Sequence, residues 1–191
     1  MSVKRGDKKK FKEFVSTIKH NPYSYYYLKT SLQRFKEDGI DLNTQMYNGD
    51  TLLHIAIKLK NVRMLRMFLK AGVNSNVANE QSNTPLHQAV LDNRIDFVKA
   101  LVDAGCDLDP GGELEQTPLH FAVIGGNLEI VKFLVENGAN IHVVDEKNNM
   151  PIDYAIDEKN MDIINYLLKT QKVSDEYLEK IKVLKGENIC Y

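Results

Sequence analysis

The sequence predicts an all-α solenoid of stacked helix–turn–helix units with hairpin loops, closed by helices at both ends. Three observations predict it. The word Thr117-Pro118-Leu119-His120 recurs as Thr84-Pro85-Leu86-His87 and, with one change, as Thr51-Leu52-Leu53-His54, so the starts fall 33 residues apart. A further copy opens at Met150, again 33 residues on. Apolar residues keep the same step: Leu32, Leu65, Val98, Val131 and Ile164 form one series, Phe35, Phe68, Leu101, Leu134 and Leu167 another. Gly39, Gly72, Gly105 and Gly138 punctuate the units at that interval. An unbroken period of this length describes units that bury their apolar faces against their neighbours.

Taken in order, residues 1–12 form a basic arm, with Lys4, Arg5, Lys8, Lys9, Lys10 and Lys12 against Asp7 alone. The arm reads as a solvated lead into a helix. Phe11, Phe14, Val15 and Ile18 fall at i, i+3, i+4 and i+7, one face of a short helix that Pro22 ends. A second helix covers about Tyr25 to Lys36. Together, residues 13–50 make a degenerate first repeat, because a terminal unit faces water on one side. The run Tyr25-Tyr26-Tyr27 is expected to be partly buried against the next repeat.

Three regular repeats follow at 51–83, 84–116 and 117–149, each reading as turn, short helix, turn, longer helix, glycine and extended loop. In the last repeat, 150–171, the opening becomes Met150-Pro151-Ile152-Asp153 while Ala155, Ile163, Ile164, Leu167 and Leu168 hold the apolar register. Gln171 stands where a glycine should be. Residues 172–191 then predict a C-terminal capping helix and tail, with Ser174 as N-cap and Tyr177, Leu178, Ile181 and Leu184 on one face.

The recurring letters are devices of backbone and packing. The threonine suits an N-cap, where its oxygen can accept an orphan N–H. Proline at the first helical position gives up a donor that would be unpaired anyway. The leucine enters the core, Ala56, Ala89 and Ala122 let helices approach closely, and the glycines supply the left-handed residue that ends a helix. His54, His87 and His120 suggest a metal ladder, but zinc needs its ligands about 2 Å from one ion. Stacked helices lie roughly 10 Å apart, so ladder residues cannot converge. His20 and His142 have no companion ligand nearby.

Composition narrows the class. A net charge of −1 over 191 residues gives no reason to expect wholesale nucleic-acid or membrane binding. Two cysteines, Cys106 and Cys190, make no disulfide framework and read as reduced thiols. No apolar run approaches the ~20 residues of a membrane span, and MSVKRGDKKK lacks the apolar core of a signal peptide. The expected location is the cytoplasm or the nucleus. There is no GxSxG, HExxH, Walker loop or CxxC. Gly111-Gly112 and Gly125-Gly126 read as turn residues. The expectation is a chain that is not an enzyme and uses no cofactor.

Over about residues 18–170 the repeated words, glycines and period resemble the ankyrin-repeat family. The resemblance implies a curved stack of helix pairs with hairpin fingers that binds another protein along a concave groove. It also implies that the ladder histidines bond backbone groups of the neighbouring turn. Partner-reading positions are then the finger tips and the ends of the inner helices. They are Tyr47, Asn48, Asp50, Lys58 and Leu59; Glu80, Gln81, Asn83, Leu91 and Asp92; Glu113, Leu114, Gln116, Ile124 and Gly125; and Glu146, Lys147, Asn149, Asp157 and Glu158.

Tyr47, Leu59, Leu91, Leu114 and Ile124 are large and apolar at positions such a fold exposes, which suggests a recognition patch. Between Lys99 and Lys132 there is no Lys or Arg, whereas Asp103, Asp107, Asp109, Glu113, Glu115 and Glu129 are acidic. That polarity would orient a partner with a basic segment. The expected function is non-catalytic binding of a partner protein, as a small inhibitor, adaptor or host-directed effector. The alternative is electrostatic binding of nucleic acid or anionic membrane through the basic arm, marked by steep salt dependence that deletion of residues 1–12 removes.

Overall fold

A computed structural model describes residues 5–170; the predicted capping helix at 172–191, with Ser174 and Cys190, lies outside them. Among the described residues the chain forms ten α-helices, one short 3-10 turn and no strand. It divides into two compact units, Met1–Asp107 and Leu108–Tyr191, with the break in the loop after Gly105.

The first unit holds α1 (Arg5–His20), α2 (Tyr25–Glu37), α3 (Leu52–Lys58), α4 (Val62–Lys70), α5 (Pro85–Leu91) and α6 (Ile95–Asp103). Inner helices contact inner ones (α3 with α5) and outer contact outer (α2 with α4, α4 with α6), while each pair also packs on itself. The second unit repeats the plan with α7 (Pro118–Ile124), α8 (Leu128–Glu136), α9 (Pro151–Asp157) and α10 (Met161–Thr170). The inner helices have only seven residues. Helices that short are unstable alone in water, so packing holds them. Both apolar series at the 33-residue step are buried throughout.

The first repeat departs from the others in its first helix. Helix α1 takes in Arg5 to Lys12, most of the stretch read as an arm, and it is 16 residues long where the regular inner helices have seven. Phe14 stacks on Phe35 at 4.5 Å, and Phe11 and Phe68 complete an aromatic cluster around them. Each such ring buries enough apolar surface for about 1.5–3 kcal/mol. Within the tyrosine run, Tyr26 departs from its expectation while Tyr27 is partly buried. Tyr26 is 80% exposed and Tyr27 40%, because the buried stripe of α2 is Leu28, Leu32 and Phe35.

At each regular helix start the threonine occupies the N-cap, where its side chain faces the histidine backbone N–H and its hydroxyl also meets the histidine ring. Thr51 Oγ1 meets His54 Nδ1 at 3.0 Å, Thr84 meets His87 at 2.9 Å and Thr117 meets His120 at 2.9 Å. The threonine's own N–H donates to the same Nδ1 at 3.1–3.2 Å. Both halves of a capping box are present, made with histidine in place of Glu or Gln. In the last repeat Asp153 does the same work, accepting the Met150 N–H at 2.8 Å.

A second set of staples escapes the 33-residue register. Asn43 Oδ1 accepts the Asn74 N–H, Asn76 Oδ1 accepts the Asp107 N–H, and Asp109 accepts the Asn140 N–H, each across 31 residues. Gly39, Gly72, Gly105 and Gly138 all have φ between +68° and +99°, as a helix-ending left-handed residue requires. Among the described residues no helix is long and apolar enough to cross a membrane.

Candidate partner-binding surface

In the first unit the leading finger turns at Met46–Asp50, where Met46 N–H donates to Asp50 O and Gly49 N–H to Met46 O. Its tip is Tyr47, 82% exposed, with Lys12 Nζ 5.6 Å from its ring centre. Asp50 stands against expectation. It is buried, and it accepts hydrogen bonds from Asn48, Lys58 (2.6 Å) and Asn79 of the following finger. Burial alone would raise its carboxyl, but these donors together hold it below the usual carboxylate range. Gly49 (φ +75°) brings the turn so close to the next finger that a Cβ would lie 2.5 Å from the Glu80 nitrogen.

The second finger is organised by Asn79, whose Oδ1 accepts the N–H groups of Gln81 and Asn83. Glu80 and Gln81 project outward at its tip, and Asn48 is exposed beside Tyr47, while Asn83 is buried. At the inner-helix ends Lys58, Leu91 and Asp92 are exposed and Leu59 is half-buried. Lys58 spends its charge on Asp50.

In the second unit the finger at Gly112–Gln116 places Glu113, Leu114 and Glu115 in solvent. The other fingers each contain one left-handed residue, Gly49, Ser82 or Asn148, whereas this one has two in succession, Leu114 and Glu115, both at φ +57°. Left-handed φ costs a non-glycine residue roughly 1–2 kcal/mol. Gln116 is turned inward and buried, donating to Asp145 (3.2 Å) and Tyr154 (2.9 Å). Asp145 also accepts the Tyr154 hydroxyl at 2.5 Å and the N–H groups of Lys147 and Asn149. Burial opposes its ionisation, yet these donors bring its carboxyl down to about 2.

Around that buried network Glu146, Lys147, Asp157, Glu158, Gly125 and Ile124 are exposed and Asn149 is half-buried. Three predicted partner contacts, Asp50, Asn83 and Gln116, are therefore interior residues of the fingers. They share one register position, where Asp50 and Gln116 bond side chains of the following finger while the buried Asn83 Oδ1 has no hydrogen-bond partner among the described residues. Val144, 45% exposed, is an apolar surface residue that the register did not single out.

The ladder histidines do structural work. His54 Nε2 meets the Asn83 carbonyl at 3.0 Å and His120 Nε2 the Asn149 carbonyl at 3.1 Å, tying each inner helix to the end of the following finger. Since Nδ1 accepts a backbone N–H, the proton sits on Nε2. Burial lowers the pKa of both rings, outweighing the carbonyls that favour the charged form. Burial likewise pushes the Cys106 thiol up to about 12 and leaves it inert. Among the described residues no group of three or more His, Cys, Asp or Glu is placed to hold a metal ion.

The family model for ankyrin repeats (three copies) matches residues 23–112 and 108–177. The chain belongs to the ankyrin-repeat family. Repeats of this family are generally protein–protein interaction modules. No individual curated protein matches the chain significantly.

Proposed function

We propose that the chain is a non-catalytic module that captures a partner protein through its finger tips and inner-helix ends, as a small inhibitor, adaptor or host-directed effector. The observation that supports this best is Leu114. A leucine exposed at a finger tip in a left-handed conformation lowers stability twice, through strain and through solvation of an apolar side chain. Strain concentrated at an exposed site points to a role in recognition. On the second unit Glu113, Glu115, Glu146, Asp157 and Glu158 are exposed acids, and they favour a partner that brings a basic segment.

Two successive left-handed residues make the turn geometry that Asn-Gly fits best. Leu114→Asn with Glu115→Gly should therefore raise the unfolding free energy by about 1–2 kcal/mol. The same variant should lose at least tenfold in affinity for the partner captured by the wild-type chain. A more stable protein that still captures its partner undiminished would show that this finger is not read.

The basic-arm alternative calls for a different test from deletion. Phe11 is 1% exposed in the core, so removing residues 1–12 damages the fold itself. Charge-neutralising substitutions at the exposed Lys9 and Lys10 leave that core in place.

A further inference from the structure

The first unit has a second candidate surface, away from the finger tips and independent of the reading above. Between the turn that joins α1 to α2 and the turn that joins α3 to α4 lies a cleft of about 270 Å³. Pro22, Tyr23, Val62 and Met67 line it, with Lys60 and Arg63 on its sides. Tyr23 is 80% exposed. The cleft is preformed: the Asn61 side chain donates from Nδ2 to the Pro22 carbonyl and accepts the Met64 N–H on Oδ1 at 3.0 Å, joining the two turns. Its volume falls below the roughly 300–1,000 Å³ of small-molecule sites. It suits one anchoring side chain.

Charge distinguishes this surface from the rest of the chain. Residues 14–36 and 51–79 contain no Asp or Glu, and the second stretch alone carries Lys58, Lys60, Arg63, Arg66 and Lys70. Arg63 also breaks the protein's own pattern. At the same register the first turns of α6, α8 and α10 carry Asp96, Glu129 and Asp162, but the first turn of α4 has no acid. Acids are favoured there because a helix N-terminus is partially positive, and a cation is disfavoured. A basic residue kept where the fold favours an acid, beside an open apolar cleft, is best explained by a bound anion-bearing chain.

We infer that this cleft docks an acidic segment of a partner protein that inserts one apolar side chain. The anchor occupies the space over Val62 and Met67, whose flexible thioether adapts to different shapes. Carboxylates on either side face Lys60 and Arg63. Nucleic acid would use the same cations but has no use for a side-chain-sized apolar cleft.

The probe is a set of fluorescent twelve-residue peptides, polyglutamate with one variable central position, titrated against the full chain. Affinity should improve at least tenfold when the central residue is Leu, Met or Phe rather than Ser, and should fall as salt rises. Arg63→Glu should weaken the anchored peptides at least tenfold while the melting temperature holds or rises, since it restores the acid of the sister repeats. Met67→Ser should abolish the preference among central residues. Variants at the finger tips and inner-helix ends should leave all of this unchanged. A flat response to the central residue, undiminished binding by Arg63→Glu, or no peptide binding at all would overturn the assignment. So would tighter binding of a twelve-nucleotide single-stranded DNA or of phosphatidylserine vesicles.

Discussion

Replacing His120 with alanine should lower the unfolding free energy by about 1–3 kcal/mol, the cost of leaving buried groups unpaired. The ring is fully buried and touches three polar groups: the Thr117 N–H, the Thr117 hydroxyl and the Asn149 carbonyl. Alanine strands all three where little water reaches them. It also leaves a cavity beside Tyr154, whose ring meets the imidazole edge-on at 6.1 Å. Urea unfolding followed by circular dichroism would measure the loss. Partner capture should weaken only as far as the folded fraction falls. A variant that folds as tightly as the wild type would refute the structural role.

The same rings make stability depend on pH. For His54 and His120 the folded pKa lies below the ordinary 6.5, chiefly through burial. Between the folded value and 6.5 the unfolded chain therefore binds more protons than the native one. Stability should be at its full value above pH 6.5, fall as pH drops below it, and level off once the folded values are passed. The slope approaches about 1.4 kcal/mol per pH unit for each ring. Asp50 and Asp145, held low by their donors, add a further loss below pH 3.8. Melting temperatures from pH 8 to 5 should decline more steeply in the wild type than in a His54→Gln, His120→Gln variant. Equal slopes would show that these rings titrate alike in both states.

Much of the architecture was legible because it repeats. A buried position in one unit is buried in the next, so Leu32 to Ile164 and Phe35 to Leu167 could be placed by counting. The fingers were less legible for the same reason. Their bonds run between different register positions, Asp50 to Asn79 and Gln116 to Asp145 across 29 residues, Asn43 to Asn74 across 31. A 33-residue register has no means of pairing such partners. The resemblance placed Asp50, Asn83 and Gln116 among the partner-reading positions, whereas all three are buried. Tyr26 failed differently: aromatic rings usually pack, but the stripe of Leu28, Leu32 and Phe35 left no place for it.

The largest effect on function should come from Leu91→Asp combined with Ile124→Asp. Each residue ends an inner helix, and each keeps a large apolar side chain partly in water, 49% and 40% exposed. Where two apolar contacts of this kind are covered by a partner, burying a carboxylate in their place costs several kcal/mol unless it finds a cation. Capture of the wild-type partner from an extract of cells that express the chain should therefore be abolished. The cost to folding should be small, about 0.3–1 kcal/mol at each site, because an acid at a helix C-terminus is disfavoured there. The single variants add resolution, since Leu91 lies in the first unit and Ile124 in the second. Loss through one alone would confine recognition to that unit, and loss through either would mean both are needed. If the folded double variant retains the same partner at the wild-type level, recognition lies on another face.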